Sequence, residues 1–221
     1  MTILYLLRHA ESIANEKGIL AGRSSVGLSK TGVLQAKRLV KPLSNMEINL
    51  VISSPIQRCI ETITPFLKNQ SELRNKFEVW PDFQEMDYGD WSGKKLRRLS
   101  VKRDWRTIQK SPERFRFPGG ESFVEAVERV EYGLKTIAKR YPKLKILLVT
   151  HGDIVKLAIN STLKGELQAF QRIVVDPASL SALKIDRNSA LLFSNRNFTE
   201  VKDKRSNLRA RLALGGGTNN G

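Results

Sequence analysis

The chain has 221 residues, of which 40% are hydrophobic, and a formal net charge of +16 at pH 7. This length suits one domain, and the apolar content is enough for a buried core and too high for a disordered polyelectrolyte. The single cysteine excludes an internal disulfide, and no run approaches the roughly 20 apolar residues of a membrane span. The first eight residues lack the pattern of a signal peptide, so we expect a cytoplasmic protein without membrane association.

Short apolar runs between turn residues predict strands, and apolar residues three or four positions apart predict helices. In chain order we predict a strand over 3–7, a helix over 31–43, a strand over 49–53, a helix over 54–67, a strand over 77–80, a helix within 120–141, a strand over 145–149, a helix over 152–163, and an antiparallel pair of strands over 179–185 and 191–195. Ser54 is predicted as an N-cap, with Pro55 in the first turn. Alternating strands and helices predict one α/β domain over 1–195, a three-layer α/β/α sandwich around a mostly parallel sheet.

The positive charge is concentrated in two segments. Between residues 94 and 118 there are ten basic residues and two acidic ones. Residues 196–211 contain six basic residues and two acidic ones, and a Gly- and Asn-rich end follows. Because this ending has nothing to bury, we predict a flexible basic tail over 196–221.

The sequence contains only two histidines, and each lies at the end of a predicted strand. His9 follows the first strand, and His151 follows the strand over 145–149. Because ligands of open α/β sheets bind at the carboxyl ends of the strands, we expect both imidazoles to share one pocket. The alternative is that each histidine only caps a strand end.

Polar residues near these strand ends suit a phosphoryl group. Arg8 precedes His9, Ser12 and Asn15 follow it, and Arg58 lies in the first turn of the helix over 54–67. A guanidinium fork matches phosphate oxygens, and a helix N-terminus adds N–H donors. The alternative for Arg58 is a surface ion pair with Glu61 on the same helix.

The segment Leu7-Arg8-His9-Ala10-Glu11-Ser12 resembles the Arg-His-Gly-Glu signature of the histidine phosphatase superfamily, which has the phosphoglycerate-mutase-like fold. The later blocks of that family have counterparts in the same order at 28–32, 53–62, 85–93, 118–122 and 149–152. Several spaced blocks in the right order are far more specific than one motif. Ala10 replaces the usual glycine, and we expect activity to survive because alanine is also small.

The resemblance implies a reaction and a set of site residues. His9 would attack phosphorus and form a phosphohistidine, while Glu85 would protonate the leaving oxygen and later accept a proton from water. The implied catalytic residues are Arg8, His9, Arg58, Glu85 and His151, and the further phosphate-contact candidates are Ser12, Asn15 and Tyr88. No metal or other cofactor is required, and the partner is a phosphorylated small molecule. The resemblance also implies that residues 94–118 form a basic lid, which would attract an anionic substrate unless it is only a solvated helical face.

Competing motifs do not fit the sequence. Cys59 is not followed at the required interval by an arginine, so a thiolate phosphatase loop is absent, and we expect a small core residue. The segment 89–95 is too short between its glycines for a P-loop, and two histidines without cysteines make a poor zinc site. We expect Trp91 and Trp105 to pack in the core rather than to stack on bases.

Within the family, mutases carry a long insertion between the acid block and the Gly-Glu-Ser block, whereas here only residues 94–118 separate them. This spacing favours a phosphomonoesterase of the histidine acid phosphatase type. The runner-up is a cofactor-dependent, phosphoglycerate-mutase-like phosphotransferase. Nucleic-acid binding is expected at most as a side activity of the basic tail, and a homodimer stays open.

Overall fold

The computed structural model describes residues 1–198, and its strands form one sheet. The strands are β1 (Thr2–Arg8), β2 (Leu50–Ser53), β3 (Phe77–Val79), β4 (Lys145–Thr150), β5 (Leu180–Ile185) and β6 (Ala190–Arg196). Their order across the sheet is β3-β2-β4-β1-β5-β6. The first four of these strands are parallel to one another, and β5 and β6 are antiparallel to their neighbours. The predicted mostly parallel sheet with a late antiparallel pair is confirmed.

The helices are α1 (Ile13–Glu16), α2 (Lys30–Ser44), α3 (Gln57–Lys68), α4 (Ser71–Arg74), α5 (Leu96–Leu99), α6 (Arg103–Lys110), α7 (Phe123–Arg140) and α8 (Gly152–Thr162). The four predicted helices therefore correspond to α2, α3, α7 and α8. Helix α7 begins where a capping box forms, because the Ser122 hydroxyl accepts from the backbone N–H of Glu125 and the Glu125 carboxylate accepts from the N–H of Ser122.

The prediction that Ser54 caps the second helix is wrong. Helix α3 begins at Gln57, and its N-cap residue Ile56 makes no side-chain cap hydrogen bond. The Ser54 hydroxyl accepts from the N–H of Ile56 at 3.3 Å, just before the helix, and lies 2.8 Å from Nε2 of His151. Ser54 therefore joins the turn before α3 to His151 and does not cap the first turn of the helix.

Two hydrophobic cores lie on opposite faces of the sheet. Successive strand residues point to opposite faces, so Leu4 and Leu6 of β1 enter one core and Leu7 enters the other. The first core contains the apolar faces of α5, α6, α7 and α8, and the second contains those of α2 and α3. This arrangement confirms the three-layer α/β/α sandwich and explains why the middle residues of β1, β2 and β4 are apolar on both faces of the sheet.

The basic segment 94–118 covers one edge of the first core. Its apolar residues Leu96, Leu99 and Ile108 are buried, whereas its arginines and lysines are exposed. Trp91 and Trp105 are buried and stack with ring centroids 6.4 Å apart, which confirms that they pack in the core.

The chain beyond the sheet is described only in part. Strand β6 extends to Arg196, and residues 199–221 lie outside the described residues, so the predicted tail over 196–221 stays a prediction. Within residues 1–198, no helix combines the length and the apolar character needed to cross a membrane.

Candidate active site

The two histidines meet at the carboxyl ends of neighbouring strands. β1 and β4 pair so that Arg8 lies opposite Thr150, and the N–H of His9 then donates to the carbonyl of Thr150 at 2.8 Å. The imidazole rings of His9 and His151 are buried, with centroids 5.3 Å apart and planes inclined by 63°. One pocket therefore contains both rings.

Arg58 connects the two imidazoles. Its Nε donates to Nε2 of His9 at 3.1 Å, and its Nη2 lies 2.9 Å from Nδ1 of His151. The guanidinium also donates to the carbonyls of Gly22 at 2.8 Å and Ser24 at 3.2 Å. The alternative of an ion pair with Glu61 is wrong, since that carboxylate accepts from the backbone N–H of Leu28 and the amide of Gln57 instead.

The hydrogen bonds define one tautomer for each histidine. Nδ1 of His9 lies 2.7 Å from the carbonyl of Ala10, which can only accept, so Nδ1 bears the proton and Nε2 keeps its lone pair. At His151 the roles are reversed, because Nδ1 accepts from Arg58 and Nε2 donates to the Ser54 hydroxyl. Burial, followed by the nearby charges of the arginines, lowers the pKa of both imidazoles well below the ordinary value. Both rings are therefore neutral near pH 7.

Arg8 brings a second buried cation to the site. Its Nη1 donates to the carbonyl of Val175 at 2.7 Å, in the loop before β5. A Cβ on Gly152 would lie 3.2 Å from Nε of Arg8, so glycine at the start of α8 lets the guanidinium approach the helix N-terminus closely. Burial lowers the pKa of Arg8, while the charges of Glu85, Asp153 and Asp176 oppose that effect.

Glu85 is a buried carboxyl group in the loop that follows β3. Burial raises its pKa to about 7, the charge of Asp153 adds to this effect, and Arg58 is the strongest opposing group. Its Oε1 accepts from the backbone N–H of Met86 at 3.1 Å. A carboxyl group with this pKa exchanges a proton near neutrality, as a general acid and base requires.

The loop over residues 18–28 connects the acid to the rest of the pocket. Gly22, whose positive φ of 56° suits glycine, presents its carbonyl to Arg58. Next to it, Nε of Arg23 donates to the backbone carbonyl of Glu85 at 3.1 Å, and its Nη2 pairs with Glu121 at 3.1 Å. The same loop meets the basic segment, where the N–H of Leu20 donates to the carbonyl of Lys94 at 3.0 Å.

The further phosphate-contact candidates already have protein partners. Ser12 caps α1, and its hydroxyl and backbone N–H both donate to the Oδ1 of Asn15. The Tyr88 hydroxyl donates to Asp153 at 2.7 Å. The role of these three residues as phosphate contacts stays a prediction.

Sequence reasoning missed two residues of this region, Ser54 and Asp153. Ser54 directly follows β2, so the strand-end argument that identified the histidines could have found it. Asp153 follows His151 by two positions and is fully buried on α8, where the sequence analysis predicted a helix but assigned this residue no role. Cys59 is a small core residue, as predicted, and burial raises the pKa of its thiol to about 12. Residues 1–198 contain no group of three or more metal-ligating side chains.

Comparison with known proteins identifies the family. The sequence model of the histidine phosphatase superfamily (branch 1) matches residues 4–196. Phosphoserine phosphatase 1 of Hydrogenobacter thermophilus is 30% identical over 199 residues, which are 88% of this chain and 92% of the relative. Adenosylcobalamin/alpha-ribazole phosphatase of Escherichia coli is 26% identical over 86% of this chain and 93% of its own.

A solved structure has the same fold. The alpha-ribazole phosphatase of Shigella flexneri superimposes with a TM-score of 0.79 at 24% identity, covering 91% of this chain and 100% of that one. The family model covers nearly all of the described residues, and the named relatives are phosphatases. The chain belongs to the histidine phosphatase superfamily, branch 1.

Proposed function

We propose that this protein is a metal-independent phosphomonoester hydrolase that acts through a phosphohistidine on a small anionic metabolite. The observation that carries the proposal is the neutral His9, whose Nε2 lone pair faces the guanidinium of Arg58 in a buried pocket. A neutral imidazole is a competent nucleophile, and the guanidinium supplies donors for the phosphoryl oxygens. The names of the relatives support a phosphatase.

In the first step, Nε2 of His9 attacks phosphorus while the bond between phosphorus and the leaving oxygen breaks. Glu85 gives its proton to that oxygen, so an alcohol leaves and the carboxyl group becomes a carboxylate. Arg8 and Arg58 donate to the phosphoryl oxygens as charge redistributes. His151 stays neutral but changes tautomer when substrate binds, so that its Nδ1–H donates to a phosphoryl oxygen and its Nε2 accepts from the Ser54 hydroxyl. For Glu85 to hold this proton near neutrality, its pKa must be raised, and burial raises it.

In the second step, water attacks the phosphorus of phosphohistidine 9. The nitrogen–phosphorus bond breaks, and its electron pair returns to Nε2. The Glu85 carboxylate takes a proton from the water, so inorganic phosphate is released and the acid regains its proton. The carbonyl of Ala10 holds Nδ1–H throughout, which keeps Nε2 as the reacting nitrogen.

Hydrolysis is preferred to phosphoryl transfer because the segment between the acid block and the Gly-Glu-Ser block is short. It contains only α5, α6 and short turns, where mutases carry a longer insertion that excludes water. We expect phosphate release rather than interconversion of 3- and 2-phosphoglycerate. Efficient interconversion with negligible release would instead support the phosphotransferase.

The exposed face of the basic segment supports an anionic substrate. Among the described residues, none of Lys94, Lys95, Arg97, Arg98, Lys102, Arg103, Arg106 and Lys110 forms an ion pair. Because the segment adjoins the loop that holds Gly22, we expect its positive field to extend over the site.

A panel of phosphomonoesters tests the proposal. The panel includes phosphoserine, alpha-ribazole phosphate, sugar phosphates, phosphoglycerates and a phosphoprotein, with phosphate release measured for the wild type and for His9→Ala. We expect turnover of at least one small phosphomonoester, and a loss of about 10³-fold or more in the variant. The variant's thermal unfolding curve verifies that it folds. Undiminished release by folded His9→Ala would contradict the proposal.

A further inference from the structure

A buried group of charged and polar side chains lies beside the candidate site and has no part in the two steps above. It consists of Asp153 and Lys156 on α8 and Tyr88 from the loop after the acid, all at most 1% exposed. The Lys156 ammonium lies 3.4 Å from Oδ1 of Asp153, and the Tyr88 hydroxyl donates to Oδ2 at 2.7 Å. We refer to these three residues as the Asp153 cluster.

Burial of this ion pair is costly for the fold. Each buried charge loses its favourable hydration, and apolar residues of similar size often stabilise a protein equally well or better. The other side chains of α8 around the pair, such as Ile154, Val155 and Leu157, are apolar and buried, so packing alone does not call for charge here. A buried carboxylate in this position therefore calls for an electrostatic explanation.

The cluster is joined to the acid and to the phosphate-binding arginines. Tyr88 lies three positions after Glu85, so its hydrogen bond to Asp153 connects the loop of the acid to the N-terminus of α8. Asp153 follows His151 and Gly152 directly, and the guanidinium of Arg8 lies so close to Gly152 that a Cβ there would be 3.2 Å from its Nε. The cluster thus lies next to three of the proposed catalytic residues.

The charged groups around Glu85 conflict with its proposed role. The charges of Arg8 on β1 and Arg58 on α3 both favour its ionised form, in which it cannot donate a proton. Asp153 on α8 is the anionic group that opposes them. At the rim, Arg23 binds the backbone carbonyl of Glu85, but that cation also pairs with Asp87 and Glu121. The other ionisable groups that act with Glu85, the thiol of Cys59 and the phenol of Tyr88, are neutral, as are both imidazoles.

We propose that Asp153 is a positioning residue, whose buried negative charge keeps the proton on Glu85 despite the two arginines that the phosphoryl group requires. Lys156 and Tyr88 hold the Asp153 carboxylate in place. This inference rests on the proposed function, because it assigns Asp153 to the general acid of that reaction.

The test compares four proteins: the wild type, Asp153→Asn, the double variant Asp153→Asn/Lys156→Met, and Tyr88→Phe. Asp153→Asn keeps the shape but removes one partner of the buried Lys156 charge, which can prevent folding. The double variant removes both charges of the pair, so neither is left without the other. Tyr88→Phe removes a hydrogen bond of the cluster and leaves its charges, so it is the matched control for a purely structural role.

Two measurements report the protonation state of Glu85. The carboxyl resonance of Glu85, assigned with Glu85→Gln in protein labelled with ¹³C-glutamate, reports its titration without substrate, and the pH dependence of kcat/KM reports the same group during turnover. In the double variant, we expect the titration midpoint and the falling limb of kcat/KM to move down together by about one pH unit. If Asp153→Asn folds, we expect the midpoint and the limb to move down at least as much as in the double variant. In Tyr88→Phe we expect both to stay near their wild-type values.

An unchanged midpoint in the double variant, or an equal shift in Tyr88→Phe, would overturn the inference. Failure of the proposed function gives a different result. In that case folded His9→Ala retains hydrolysis, while the titration of Glu85 still reports whether Asp153 controls its proton.

Discussion

Nε of Arg58 donates a hydrogen bond to Nε2 of His9 at 3.1 Å, in a contact that is fully buried. The guanidinium thus occupies the lone pair that would attack phosphorus, and its charge helps to keep the imidazole neutral. In the proposed mechanism, the N–H donors of Arg58 turn to the phosphoryl oxygens when substrate binds, which exposes the nucleophile. Arg58 then serves first as a partner of His9 and afterwards as a ligand of the substrate.

Replacement of Arg58 by methionine separates these two effects. Removal of a cation next to His9 raises the pKa of that imidazole, because Arg58 is the strongest of the charges that lower it. Loss of a phosphoryl ligand lowers kcat/KM by about 10²- to 10³-fold. Proton NMR of the imidazole C–H resonances measures the first effect, and steady-state kinetics measures the second. Arg38→Met, on the exposed face of α2, is the control, and an unchanged kcat/KM in Arg58→Met would contradict the proposed role.

The activity should fall as the pH rises through about 7. The pKa of Glu85 is raised to about 7, so above that pH the acid loses the proton that the leaving oxygen needs. Both histidines have pKa values well below the ordinary value of 6.5, so they stay neutral on the acidic side of this limb. In Glu85→Gln we expect the limb to disappear and the rate to drop by about 10²- to 10⁴-fold. Measurement of kcat/KM as a function of pH checks this prediction. If the falling limb persists in Glu85→Gln, a group other than Glu85 causes it.

The same carboxyl group should make the folded protein less stable at higher pH. Its pKa is about 7 in the folded state and near 4.5 ordinarily, so between these values the folded state holds a proton that the unfolded chain has released. Stability therefore decreases as the pH rises across this window. Glu85→Gln has no proton to lose at this position. The difference in unfolding free energy between this variant and the wild type should therefore change in favour of the variant by up to about 3 kcal/mol from pH ~4.5 to pH ~7. Urea unfolding at several pH values measures the difference, and an advantage that does not change with pH would contradict the raised pKa.

Much of the fold and of the site could be predicted from the sequence, because the signals are local. The apolar runs of β1 and β4 are continuous, and a single polar residue separates each run from its histidine, so the strand-end argument predicts that the rings of His9 and His151 meet. Arg58 was predictable because its helix begins at the same edge of the sheet.

The remaining features depend on tertiary contacts. Ser54 fits the local pattern of an N-cap, but the partner that decides its role is His151, 97 positions away. Asp153 and Lys156 would be assigned to the polar face of an amphipathic helix, yet α8 is buried all round from Gly152 to Asn160. The tautomers of the histidines are set by hydrogen bonds with Arg58 and with the carbonyl of Ala10. Neither hydrogen bond can be predicted from a local sequence pattern.

The basic segment should make catalysis sensitive to salt. Neutralising Arg97, Arg98, Lys102 and Arg103 removes exposed positive charge from the segment that adjoins the loop of Gly22, so we expect kcat/KM to fall at low ionic strength and to lose most of its dependence on added salt. The matched control neutralises four exposed cations of α2 and α3, namely Lys37, Arg38, Lys41 and Lys68. Equal salt dependence in the wild type and in both quadruple variants would leave the segment as a solvated surface.

The most direct test of the mechanism is a rapid-quench experiment with a substrate labelled with ³²P in its phosphoryl group. We expect label on the protein within the first turnover, stable in alkali and released in acid, and located by peptide mapping on His9. Folded His9→Ala should acquire none. A wild-type enzyme that turns over the substrate without ever carrying label, or that carries it on another residue, would contradict nucleophilic attack by His9.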